Sequence, residues 1–296
     1  MALLENLQEL GSSIPKDKST RVEMSSTKFL TYMLIPLSVG MFPHLFQHWM
    51  TAKSAKTFKL PVVFHPVFIM IVWVPCVLVG VWATGDLIPA KPPLPASPNA
   101  VLPFLVKTQT GQLLGGLLAA GILAAIMSSL DSQFLCIGTI FTNDVASRLF
   151  KKEQLTDAKM VWINRGFIIA IVAVTYFLCS GNNRSVFALG IWCFSGFSAL
   201  FPIVFAALYW RRLSAAGAIS GVLAAATSWG ILMYQGINSP GGLRSFVLRL
   251  PIGEDGAEIM PVVVMFLSSL ITMVVVSLIT PPPRQETIDK FFPKKA

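Results

Sequence analysis

The sequence predicts an all-α integral membrane protein of about seven transmembrane helices, and three observations carry that expectation. Of its 296 residues, 54% are hydrophobic and only 12% charged, whereas a soluble domain has about a quarter of its residues charged. The mean hydropathy is +0.68. Apolar stretches recur at 29–50, 60–83, 113–141, 161–179, 186–209, 215–234 and 259–279. Each has the roughly 20 residues that a helix needs to cross a hydrocarbon core of about 30 Å.

Residues 1–25 are polar and read as an extracellular N-terminal segment. They contain neither a basic n-region nor an apolar h-region, so no signal peptide is expected here, and export of this end is expected to rely on residues ahead of Met1. The first span carries Ile35-Pro-Leu-Ser-Val-Gly-Met-Phe-Pro43, with two prolines and a glycine near its middle. Proline removes a backbone hydrogen bond and clashes with the preceding turn, and the groups it frees survive in a bilayer only where they line a cavity or meet another polar group. A broken helix of this kind marks substrate and ion sites in transporters; a plain proline kink is the alternative. After the second span, 83–103 is an external loop whose prolines (Pro89, Pro92, Pro93, Pro95, Pro98, Pro103) fix too many φ angles for a long helix.

The third span is the most informative. At about 100° per residue, Gly121, Ala125, Ser128, Ser129, Ser132, Cys136 and Thr139 share one arc, while Leu123, Ile126, Leu130, Phe134, Ile137 and Phe141 cover the other side. One face is small and oxygen-rich. Helix packing accounts for such a face in many membrane proteins, but Asp131 adds an ionisable group costing at least about 2.5 kcal/mol at mid-membrane, which points to an ion or substrate path. Hydroxyl and carbonyl oxygens suit a hard cation, and sodium fits. The stretch 149–160 is a charged cytoplasmic loop before the fourth span. The fifth holds Trp192, inside the span and a candidate to face substrate. Gly217-Ala-Ile-Ser-Gly221 in the sixth matches a common packing motif. Pro281-Pro-Pro283 ends the seventh, leaving 281–296 as a cytoplasmic tail.

Charge fixes the expected orientation. The segments after spans one, three, five and seven hold Lys53, Lys56, Lys59, Arg148, Lys151, Lys152, Lys159, Arg165, Arg211, Arg212, Arg284, Lys290, Lys294 and Lys295, which are 14 of the 23 basic residues. The other side is nearly balanced by acids, so the N-terminus is expected outside and the C-terminus in the cytoplasm of a plasma (inner) membrane. The net charge of +9 is therefore topological, and a nucleic-acid role is excluded on the same ground. Cys76, Cys136, Cys179 and Cys193 lie in apolar segments without metal-ligand spacing and read as small hydrophobes. His44 and His48 are four apart but lack the glutamate of a zinc-protease helix.

Two motifs give the chain a resemblance. Pro43-His-Leu-Phe-Gln-His-Trp-Met-Thr-Ala-Lys-Ser-Ala-Lys56 resembles the end of the broken sixth core helix of the sodium:solute symporters, the family of sodium-coupled sugar, proline and pantothenate carriers. Ala124-Ala-Ile-Met-Ser-Ser-Leu-Asp-Ser-Gln133, with Phe141-Thr-Asn-Asp144, resembles its eighth core helix. The resemblance covers roughly 20–240 and implies that sodium is held by the carbonyl of Ala125 and the hydroxyls of Ser128 and Ser129. A second sodium in some members matches Asp131 and Ser132, although Asp131 sits about 60° round the helix from Ser128, and accepting hydrogen bonds from neighbouring helices is its alternative role. The resemblance further implies that the first five spans form the second inverted repeat of a five-plus-five transporter fold, with two extra helices following. Residues 26–280 would then be a partial transporter domain lacking its first repeat, which a separate chain could carry. Ser38, Gly40 and Trp192 are the expected substrate path.

The expected function is symport of a small polar solute with sodium, across the lipid bilayer, by alternating access. An inactive fragment of a truncated or split carrier is the first alternative, and a membrane sensory or anchoring module the second. An enzyme is not expected, since no nucleophile–base pair or cofactor motif is present.

Overall fold

The computed structural model describes residues 2–16, 24–85, 97–149, 156–180, 185–251 and 256–292. In chain order these form α1 (Ala2–Ser12), α2 (Ser26–Tyr32), a 3-10 segment (Ile35–Met41), α3 (Pro43–Met50), α4 (Lys59–Trp82), α5 (Val101–Gln109), α6 (Gln112–Ile140), α7 (Asp157–Cys179), α8 (Val186–Ser198), α9 (Phe201–Tyr209) and α10 (Ala215–Asn238). Strands β1 (Leu248–Leu250) and β2 (Ala257–Ile259), then α11 (Pro261–Ile279) and α12 (Gln285–Phe291), complete the order. Among the described residues six helices are long and apolar enough to cross a membrane. The pair Ser26–Met41 and Pro43–Met50, bent by 56°, counts as a seventh. The protein is thus an all-α multi-pass membrane protein, with one small antiparallel hairpin in which Leu248 pairs with Ile259 and Leu250 with Ala257.

Serines start several helices where the sequence turns apolar. Ser25 Oγ accepts from Lys28 N at 3.2 Å and Ser214 Oγ accepts from Gly217 N at 3.0 Å, each satisfying one orphan N–H of a first turn. Three boundaries differ from expectation. The 83–103 loop closes early, because Pro98 seeds a 3-10 turn that runs straight into α5. The fifth span is two helices, since Pro202 occupies the first turn of α9 and cannot donate back to α8. Ile259 belongs to β2, so the last span begins at Pro261, where proline suits a first helical turn. Residues 1–25, read only as polar, include α1. Pro89 to Pro95, and Lys18, Arg21, Lys91, Lys151, Lys152, Arg184, Lys294 and Lys295, lie outside the described residues.

The chain divides into two compact units, Met1–Val22 with Gln47–Asn183, and Glu23–Phe46 with Arg184–Ala296. In the first, α6 packs on α7 through a close approach at Gly138. A β-carbon there would lie 2.0 Å from Asn164 Oδ1, which is buried without a hydrogen bond. One turn on, Phe141 and Phe167 stack with centroids 3.9 Å apart. Here α6 loosens into a π-helical turn over Phe141–Ala146, with Thr142 buried and its Oγ1 donating to Gly138 O at 2.7 Å.

In the second unit α10 and α11 form the tightest seam. The Gly217 and Gly221 motif is that seam: a β-carbon at Gly217 would lie 1.9 Å from Ser277 Oγ and 2.9 Å from Met273 O, and one at Gly221 3.0 Å from Met273 Cβ. Small residues bring backbones together where lipid supplies no hydrophobic drive. Fully buried Val262, Met265 and Met273 fill the space along α11. At one end of this unit Glu258 faces Lys28 at 3.6 Å and Arg249 at 3.5 Å, and Met260 N donates to Thr31 Oγ1 at 3.1 Å, fastening the hairpin to α2.

Candidate functional site

Ala125, Ser128, Ser129, Asp131 and Ser132 all lie on α6, an unbroken helix from Gln112 to Ile140. Spacings of three and four residues put the Ala125 carbonyl and the Ser128 and Ser129 hydroxyls on one strip of helix surface. Ala125, Ser128, Ser129 and Asp131 are exposed and Ser132 is half-buried. Further along, the hydroxyls turn inward. Thr139 Oγ1 donates to Leu135 O at 2.7 Å and Thr142 Oγ1 to Gly138 O, the usual way a membrane helix absorbs a hydroxyl. Ser128, Ser129 and Ser132 do not: among the described residues their hydroxyls and the Asp131 carboxylate make no hydrogen bond. A row of uncommitted oxygens in an apolar span is a donor set that suits a hard cation such as sodium. Among the described residues no three His, Cys, Asp or Glu side chains converge, so His44 and His48 gain no further protein ligand of those types.

The second group of expected site residues belongs to the other unit. Ser38 and Gly40 lie on the 3-10 segment, with Ser38 almost fully buried. Tightening to 3-10 leaves Leu34 O accepting from Leu37 N at 3.2 Å, and Ser198 Oγ gives the same oxygen a second bond at 2.6 Å. The break is thus made tolerable by a polar partner on α8, the second of the two ways such a break survives in lipid. Phe42 follows, its ring 4.5 Å from Phe197 and 5.4 Å edge-on from Phe194, and Pro43 starts α3 in its new direction. Ser195, also buried on α8, donates to Ile191 O of its own helix at 2.7 Å. Sequence reasoning missed Ser195 and Ser198; their spacing of three, which puts both on one helix face, was the available signal.

Trp192, on α8, is buried with both polar groups committed inside the unit. Its Nε1 donates to Leu243 O at 3.1 Å, and its carbonyl accepts from Trp229 Nε1 at 3.0 Å. The ring borders an apolar cavity of about 360 Å3 with Cys193, Val222 and Trp229.

Both motifs, the broken span and the oxygen-faced helix, fall inside a longer match: the model of the sodium:solute symporter family aligns with residues 5–225. This chain belongs to that family. Its relatives include the sodium/proline symporter of Haemophilus influenzae, 24% identical over 96% of this chain and 55% of that protein. The high-affinity proline transporter PutP of Bacillus subtilis is 27% identical over 60% of this chain and 34% of its own. A sodium/proline symporter of Staphylococcus aureus is 31% identical over 66% and 39%. The chain spans about half the length of the curated relatives it matches.

Proposed function

We propose that this chain is the second half of a sodium-coupled carrier for a small polar solute. Sodium is held by Ala125 O, Ser128 Oγ and Ser129 Oγ, and Asp131 with Ser132 forms a second, weaker ion position. The observation that carries this reading is the contrast along α6, where Thr139 and Thr142 satisfy themselves while Ser128, Ser129 and Ser132 keep their oxygens uncommitted. Ser38 and Gly40 lie on the solute path at the break, and Trp192 contributes a ring face to it, its N–H being engaged elsewhere. Three of the matched relatives are named for proline, which makes proline the first solute to try. The remaining ligands come from helices beyond this sequence, in a longer chain or a separate one. Inward sodium movement supplies about 2.3 kcal/mol per charge per 100 mV, in addition to its concentration gradient. The N-terminus lies outside and the tail in the cytoplasm.

The test is sodium-dependent proline uptake by the assembled carrier in proteoliposomes. Ser128→Ala and Ser129→Ala each move the sodium activation curve to higher concentration by roughly tenfold or more, since a dehydrated cation loses one of few oxygens and no water replaces it cheaply. Retention of the parent's sodium dependence by both variants, with Ile126→Ala disrupting it, would assign the ion to the wrong face.

A further inference from the structure

The fifth, sixth and seventh spans end together around a cavity of about 630 Å3 that the transport reading leaves unused. Its making is legible in the chain. Pro281 to Pro283 stop α11, and the chain then runs into α12. There, Ile288 and Phe291 face the cavity, while Gln285 and Asp289 bond each other at 2.9 Å. Trp210, Arg211 and Ser214 close it from the turn between α9 and α10, and Arg284 stands where α12 begins.

Its charge is one-sided. Among the described residues neither Arg211 nor Arg284 has a carboxylate partner; Arg211 instead lies over the Phe292 ring at 5.7 Å. Arg212 adds a third positive charge beside them. Its Nη2 caps α11 by donating to Leu278 O at 3.2 Å and Thr280 O at 3.0 Å, while its Nη1 is buried without a partner. A free inorganic anion would use the guanidinium groups and leave the apolar wall idle, and a zwitterionic lipid would use the wall and bring no net charge to the guanidiniums. An amphiphile with an anionic head uses both, at the level where helices leave the hydrocarbon.

We propose that this cavity binds an anionic phospholipid, its phosphodiester held by Arg211 and Arg284 and its acyl chains against Trp210, Ile288 and Phe291. The site rests on the membrane reading alone and stands or falls independently of sodium coupling.

The full chain, purified into detergent with mixed phosphatidylglycerol and phosphatidylcholine and examined by native mass spectrometry, retains phosphatidylglycerol. R211Q/R284Q lowers that retention about thirtyfold, each basic residue near a membrane surface contributing about a factor of five. K53Q/K56Q, the same charge change elsewhere, leaves it unaltered, and R211K/R284K restores most of it. Equal retention of the two lipids by the parent protein overturns the proposal, and so does undiminished phosphatidylglycerol on R211Q/R284Q. Displacement of the lipid by millimolar inorganic phosphate would reassign the site to a free anion and defeat the lipid assignment. If R211Q/R284Q fails to fold, the preference of the parent protein between the two lipids still decides.

Discussion

Ser198 holds one hydrogen atom whose placement decides whether a broken helix is tolerable in lipid. Its Oγ donates to Leu34 O, which has already taken a tightened 3-10 bond from Leu37 N. Ser198→Ala removes the second donor while the first remains, so the expected loss is that of one interhelical hydrogen bond in a membrane, about 0.6 to 2 kcal/mol. A lower thermal midpoint in detergent, recovered by Ser198→Thr, is the expected result; an unchanged midpoint would mean the break is stable without α8. The two serines of α8 illustrate how far sequence carries at this scale. Proline and glycine announce a break because their effect on the backbone is local. The hydroxyl that answers the break is 164 residues away, and nothing local to Ser198 distinguishes it from Ser195, which bonds within its own helix.

Helix packing divides the glycines of α10 into two kinds. Gly217 and Gly221 press against α11, whereas a β-carbon at Gly230 would meet nothing within 4 Å. Gly230→Ala is therefore expected to stabilise by up to about 1 kcal/mol through reduced backbone entropy in the unfolded chain. Gly217→Ala is expected to destabilise, because the obstructing atom at 2.9 Å is the Met273 carbonyl, which no rotamer change can move. Opposite signs in paired unfolding measurements are the outcome to look for, and a stabilising Gly217→Ala would undo the seam. The spacing of four between these glycines is visible in sequence, but its partner is not. Likewise all seven spans were legible from hydropathy, while the division of the fifth at Pro202 and the onset of α5 depended on where proline fell relative to a helix start.

Across the whole molecule, the proposed orientation rests on the uneven spread of lysine and arginine. With the four native cysteines replaced by alanine, an impermeant thiol reagent applied from outside should label a cysteine placed at Asn182 or Gly242 and spare one at Lys152 or Lys290. The reverse pattern would invert the topology and move Arg211 and Arg284 to the outer leaflet. This chain expressed by itself should insert yet neither bind sodium measurably nor drive uptake, because the oxygen row of α6 is exposed and, among the described residues, meets none of the further ligands a dehydrated ion requires. Sodium-driven uptake by the purified chain in liposomes would defeat that expectation. The small, oxygen-bearing face of α6 could be read from the alternation of small and large side chains along one helix. The proposed ion site could not, since a coordination shell is assembled from several helices and one amphipathic pattern describes only its own.

The meeting of Gly138 and Asn164 sets an order on future change. A methyl group at position 138 would lie 2.0 Å from the Asn164 amide oxygen and 3.0 Å from Ile168 Cγ1, while shortening Asn164 only opens space. Two single-step routes lead from this pair to a pair of alanines, and they are unequal. Replacement of Asn164 first is passable; replacement of Gly138 first requires the Asn164 amide to swing out of its place against α6. Descendants of this sequence selected for insertion should therefore carry alanine at position 138 only where position 164 has already lost its amide, so that one residue holds the key to the other's variability.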